Sequence, residues 1–104
     1  MKFHITASLP VAAGNAAMQT GTIGETIQSI LEEIKPEAVY FGVKGGKRTA
    51  FMIVDITNAS ELPAIFEPWF LAFDASIDVT PVMLPEDLAK AGGSIENAVK
   101  NYGG

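Results

Sequence analysis

The chain has 104 residues, 48% of them hydrophobic and only 18% charged, which makes it one domain and an apolar one for its size. Its net charge of −5, from 7 basic and 12 acidic residues, argues against nucleic acid or an anionic membrane as partner. It contains no cysteine, so a disulfide framework and thiolate chemistry are excluded.

A chain of this length buries roughly 60–70% of the surface its unfolded form exposes, so a core is possible but not a generous one. The surplus of apolar residues therefore points to association. No apolar run approaches the ~18 residues of a membrane span. The start, MKFHITASL, carries one lysine and alternates rather than reading as a signal peptide. A cytoplasmic protein, one domain over residues 1–104, is expected.

The first strand runs from Lys2 to Leu9, with Phe3, Ile5, Ala7 and Leu9 on one face and His4, Thr6 and Ser8 on the other. Pro10 ends it. Val11 to Lys35 is helical in outline. Gly14, Gly21 and Gly24 weaken its first half by about 1 kcal/mol each relative to Ala. In the second half Thr22 and Glu25 match a capping box, and Ile23, Ile27, Ile30, Leu31 and Ile34 form one apolar stripe. Pro36 stops the helix.

Ala38 to Ile56, AVYFGVKGGKRTAFMIVDI, predicts a hairpin about a Gly45-Gly46 turn, because glycine adopts positive φ without strain. That turn sets Tyr40 opposite Phe51, Phe41 opposite Ala50 and Val39 opposite Met52. One face then carries Val39, Phe41, Val43, Ala50, Met52, Val54 and Ile56 and suits packing helices. The other carries Tyr40, Thr49, Phe51, Ile53 and Asp55, a set too apolar to face water alone.

Ser60 is a candidate N-cap with Pro63 at the third helical position. Pro68 is expected to kink or split this helix, whose apolar mass comes from Leu62, Ile65, Phe66, Trp69, Phe70 and Phe73. Ser76 to Met83 alternates as a fourth strand. Pro85, Glu86 and Asp87 open a short helix that Gly92 and Gly93 end, and Ser94 caps a last helix reaching about Tyr102.

The order β-α-β-β-α-β predicts an α+β, ferredoxin-like fold: a four-stranded antiparallel sheet with the main helices on one face, plus C-terminal helices. The other sheet face would be bare in a monomer. This architecture, with the segments EPWFLAFDASIDVTPVM and LPEDLAKAG, resembles the dimeric α/β-barrel superfamily and small uncharacterised bacterial proteins within it. The resemblance implies a homodimer paired sheet to sheet around a cavity. The superfamily includes small monooxygenases, muconolactone isomerases and haem-degrading enzymes, but no catalytic signature carries over to this chain, and fold analogy does not give function.

If the first and fourth strands are neighbours, His4, Thr6, Ser8, Ser76, Asp78 and Thr80 share the open face with Tyr40, Phe51 and Ile53. That is an aromatic floor with a few polar groups, the usual make-up of a small-molecule site. His4, the single histidine, is the first suspect for acid or base work, with Asp78 to orient it. The plainer reading, a solvated or hydrogen-bonded His4, carries more weight. Tyr40 could donate to a ligand or simply pair with Phe51. Trp69 could wall the ligand or belong to the core or the dimer contact.

Lys44-Gly45-Gly46-Lys47-Arg48 is a charged hairpin tip, not a phosphate loop, because it joins two strands rather than opening a helix. No cofactor and no metal site is expected. The leading expectation is a homodimer that binds a small apolar or aromatic molecule on the sheet face. The alternatives are a monooxygenase-like or isomerase-like enzyme using His4, and a structural or regulatory dimer with no cavity.

Overall fold

Gly45 and Gly46 take φ of 60° and 75°, the left-handed region that glycine enters without a Cβ penalty. The two-residue turn they form joins β2 (Ala38–Lys44) to β3 (Lys47–Asp55). The register is the one the turn dictates, with Lys44 opposite Lys47, Tyr40 opposite Phe51 and Val39 opposite Met52. In this computed structural model, which describes Met1–Gly104, every other element is placed relative to this hairpin.

β1 (Lys2–Ser8) pairs antiparallel with both β3 and β4 (Ser76–Val82), so the sheet order is β2-β3-β1-β4 and all neighbours are antiparallel. This is the ferredoxin-like α+β arrangement that the element order predicts. The helices α1 (Val11–Gln19), α2 (Ile23–Ile34) and α3 (Leu62–Phe73) cover one face. Ile5, Ala7, Ala50, Met52 and Val54 of the sheet and Trp69 and Phe73 of α3 meet between the two layers, all buried. The stripe of α2 is in place, with Ile30 buried and Ile23, Ile27, Leu31 and Ile34 packed against the same cluster.

Local differences from the sequence expectation have identifiable causes. The first helical stretch is two helices, because Gly21 at φ 73° reverses the chain between them. The Thr22 side chain does not cap α2: its hydroxyl pairs with that of Thr20 at 2.9 Å, while its carbonyl accepts from the Thr26 hydroxyl at 2.9 Å.

Ser60 does not cap the next helix. A 3₁₀ turn over Ala59–Glu61 precedes it, and the Glu61 carboxylate accepts from the backbone N–H groups of Thr57 and Asn58 at 2.8 and 2.7 Å. Pro63 is then the second residue of α3. Pro68 does not split the helix, which runs unbroken to Phe73. The carbonyl that its missing N–H leaves free belongs to Ala64, an exposed residue that water can reach.

The C-terminal part departs from the rest. α4 (Pro85–Lys90) and α5 (Gly92–Tyr102) follow β4, and Gly92 and Gly93 form the first turn of α5 rather than a break before it. These helices extend away from the sheet. The radius of gyration is 17.6 Å and the long axis 59 Å, whereas a compact chain of this size has a radius of roughly 13 Å. Leu88, Ile95, Val99 and Tyr102 are exposed on this arm, Tyr102 to 87%. With Ala91 they recur at spacings of three and four residues, the pattern of one apolar helical stripe.

Candidate functional site

The pleat of the sheet decides which side chains meet. On β1, His4 sits between Ile53 of β3 and Thr80 of β4, Thr6 between Phe51 and Asp78, and Ser8 between Thr49 and Ser76. Tyr40 lies across from Phe51 on the far side of β3. His4, Thr6, Asp78, Tyr40, Phe51 and Ile53 therefore share the face that no helix covers.

The central residues of this face are only partly covered, with His4, Phe51 and Ile53 half-buried. Thr6 is 3% exposed, screened by its larger neighbours. The His4 ring stacks on Phe51, with centroids 6.4 Å apart and planes 17° from parallel. Offset aromatic packing of this kind contributes about 0.5–1.5 kcal/mol beyond area burial. Tyr40 is 71% exposed, on the outer strand of the sheet. Asp78 is exposed and one pair along from His4, and no hydrogen bond joins them. The ring of His4 is thus oriented by Phe51 rather than by a carboxylate.

Trp69 does not belong to this face. It lies on α3 behind the sheet, fully buried, against Phe73 with ring centroids 6.2 Å apart. Its place in an aromatic-rich sequence stretch says nothing about which face of the sheet that stretch covers, and the helix lies wholly on the other side.

One end of the open face carries a cluster of charges. Lys2 donates to Glu37 and, at 3.4 Å, to Asp55. Asp55 also accepts from the terminal ammonium of Met1 at 2.9 Å. The hydrogen bond to Glu37, with a smaller contribution from Asp55, raises the pKa of Lys2. The terminal ammonium and then Lys2 hold the Asp55 carboxyl below its usual range. Asp55 is accordingly an ion-pair residue at the strand end. No group of three or more His, Cys, Asp or Glu side chains converges in a way that could hold a metal ion.

Two features escape a reading of the sequence. Arg48 leaves the charged hairpin tip and folds beneath α1, where its Nη2 donates to Asn15 Oδ1 at 3.0 Å. Register on the helix-side face, shared with Ala50, is the signal that would have found it. The apolar stripe of the arm is the second, and the spacing from Leu88 to Tyr102 carries it.

No helix is long and apolar enough to cross a membrane. No curated protein matches the chain. Among solved structures, the de novo designed protein Ferredog-Diesel is similar at 10% identity, with a TM-score of 0.45, over 78% of this chain and 85% of that one. The profile of the family described as "Domain of unknown function (DUF3303)" matches residues 1–95, and the chain belongs to that family.

Proposed function

We propose that the protein works as a homodimer that closes its open sheet face against a second copy and holds a small apolar or aromatic molecule between the two sheets. The observation that carries this reading is Tyr40: a ring 71% exposed, set directly across from Phe51 on a face with His4, Phe51 and Ile53 at its centre. An aromatic face of this kind, with a few hydroxyl and carboxylate groups, suits an apolar guest that makes one or two hydrogen bonds.

The footprint of the face is modest beside the surface that a stable pair buries. Strands of seven to nine residues in a sheet of four have a flat footprint of roughly 19 by 24 Å, or about 450 Å², from standard strand spacings. Stable interfaces bury about 800 Å² per partner. The arm supports the same reading by supplying further surface. Its stripe of Leu88, Ile95, Val99 and Tyr102 has no partner within its own chain, and a second copy gives it one.

Native mass spectrometry followed by denaturation of the same sample tests the proposal. The expected result is a dimer mass, with a small molecule released on denaturation. Tyr40→Asp, at an exposed position, should fold and run as a monomer. A parent protein that is monomeric at micromolar concentration overturns the reading.

A further inference from the structure

Behind the sheet, where the hairpin meets α1 and α2, lies a half-open cavity of about 260 Å³. Leu9, Ile23, Ile27, Phe41, Ala50 and Trp69 line it, all apolar or aromatic. At about 30 Å³ per water, the space takes about nine heavy atoms, and its open side leaves room for a further one or two.

Two of its lining residues carry hydrogen-bonding capacity that the protein itself does not use up. Trp69 is fully buried, and its Nε1 is a buried polar side-chain atom with no hydrogen-bond partner. Leaving a buried donor unpaired costs about 1–3 kcal/mol, a cost an arriving acceptor removes. Arg48 also lines the cavity and donates to the neutral Asn15 side chain, and no carboxylate of the chain pairs with it. The Thr49 hydroxyl is committed elsewhere, donating to the Lys47 carbonyl at 2.9 Å. The walls are thus apolar, the charged lining residue is a cation, and the two lining side chains with uncommitted hydrogen-bonding capacity carry donors rather than acceptors.

We infer that this cavity is a binding site for a small apolar monocarboxylic acid, its hydrocarbon part against Leu9, Ile23, Ile27 and Ala50 and its carboxylate taken by the donors of Arg48 and Trp69. A guanidinium and an indole N–H accept nothing, so they favour an anionic or carbonyl oxygen over an amine of the same shape. The site lies on the opposite side of the sheet from His4 and Tyr40, so this inference and the proposed sheet-face pocket stand or fall separately.

Trp69 is the single tryptophan of the chain, so its indole N–H gives one resonance in a nitrogen–proton correlation spectrum. Three eight-carbon probes, octanoate, 2-octanone and octylamine, are titrated against the intact protein while that resonance is followed. Octanoate should move it saturably. The ketone should bind more weakly and the amine weaker than octanoate by at least about tenfold, which is ~1.4 kcal/mol.

Gly24→Leu provides the blocking control. Gly24 lines the cavity, and a Cβ built there meets no atom within 4 Å. A leucine there has open space to extend across the mouth of the cavity, and it raises helix propensity by about 1 kcal/mol. This variant should unfold no more easily than the parent and should lose octanoate binding. Arg48→Met should erase the preference for octanoate over 2-octanone while keeping the ketone. An indole resonance that no probe moves, an amine that binds as well as the acid, or full octanoate binding in Gly24→Leu overturns the inference.

Discussion

His4 lies nearly parallel to Phe51, ring against ring, although the two are diagonal neighbours on β1 and β3 rather than a directly opposed pair. Diagonal contact across a sheet is within reach of aromatic side chains. It ties the two central strands together on the face that lacks helices. Phe51→Ala should therefore cost about 1–2 kcal/mol, from the stacking term and the half-buried ring area. His4→Ala should cost about 0.5–1.5 kcal/mol, and the two losses should not add, because each removes the same contact. Urea denaturation of the two single variants and the double variant at one protein concentration measures this. Strict additivity would show that the stack contributes nothing.

Most of the sheet was legible in the sequence because its signals are local. The Gly45-Gly46 turn alone sets the pairing of β2 with β3, and a period of two then assigns each side chain to a face. His4 joined Phe51 and Ile53 because the less aliphatic halves of the strands were placed on one face; that β1 pairs with β3 as well as β4 is visible only in the fold. Trp69 was not placeable in the same way. Its helix is apolar on nearly every side, with Ile65, Trp69 and Phe73 inward and Phe70 and Leu71 exposed, so composition does not say which layer it joins. Arg48 was missed for a related reason: a charge beside a turn reads as solvated, and only the three-dimensional approach of α1 gives it a partner. The projecting arm follows from no local rule, since its helix signals are ordinary and its separation from the sheet is a matter of packing.

The hairpin turn and α2 give opposite expectations for the same chemical change. Gly46→Ala forces a Cβ into a φ of 75° and should destabilise by about 1–2 kcal/mol. Gly24→Ala sits in a helix with open space around the new methyl and should stabilise by about 1 kcal/mol. Thermal denaturation of both variants should bracket the parent midpoint. A Gly46→Ala midpoint at or above that of Gly24→Ala would show that the turn is not held in the left-handed region.

Gly14 and Arg48 should be coupled. A Cβ at Gly14 would stand 2.6 Å from Arg48 Nη1 and 3.4 Å from its Cδ. The guanidinium must move away, and its hydrogen bond to Asn15 goes with it. In the parent, Gly14→Ala should be close to neutral, because a gain of about 1 kcal/mol in helix propensity is offset by that loss. In an Arg48→Ala background the same change should show the full gain of about 1 kcal/mol. A double-mutant cycle by urea denaturation reads the difference directly. Equal effects in both backgrounds would mean that Arg48 does not lie over α1.

The ion pairs at the strand ends set a pH window. The Asp55 carboxyl is held below its ordinary value of 3.8, first by the terminal ammonium and then by Lys2. A group whose folded pKa is lowered supports the fold above its unfolded pKa and ceases to as pH falls through the folded one. Lys2 is shifted the other way, above 10.5, chiefly by Glu37. Its support is complete below that value and disappears as pH rises through the folded pKa. The contribution of this cluster should therefore be flat from about pH 5 to about pH 7, above which an α-amino group begins to lose its charge, and decline outside both ends. Asp55→Asn should lower the thermal midpoint slightly at neutral pH and low salt. The difference from the parent should shrink as pH falls below 3.8 and through the lower value at which the folded Asp55 takes up a proton, and in molar salt, which screens exposed pairs. A midpoint difference that is the same at acid and neutral pH would show that the side chain of Asp55 acts through its shape and not its charge.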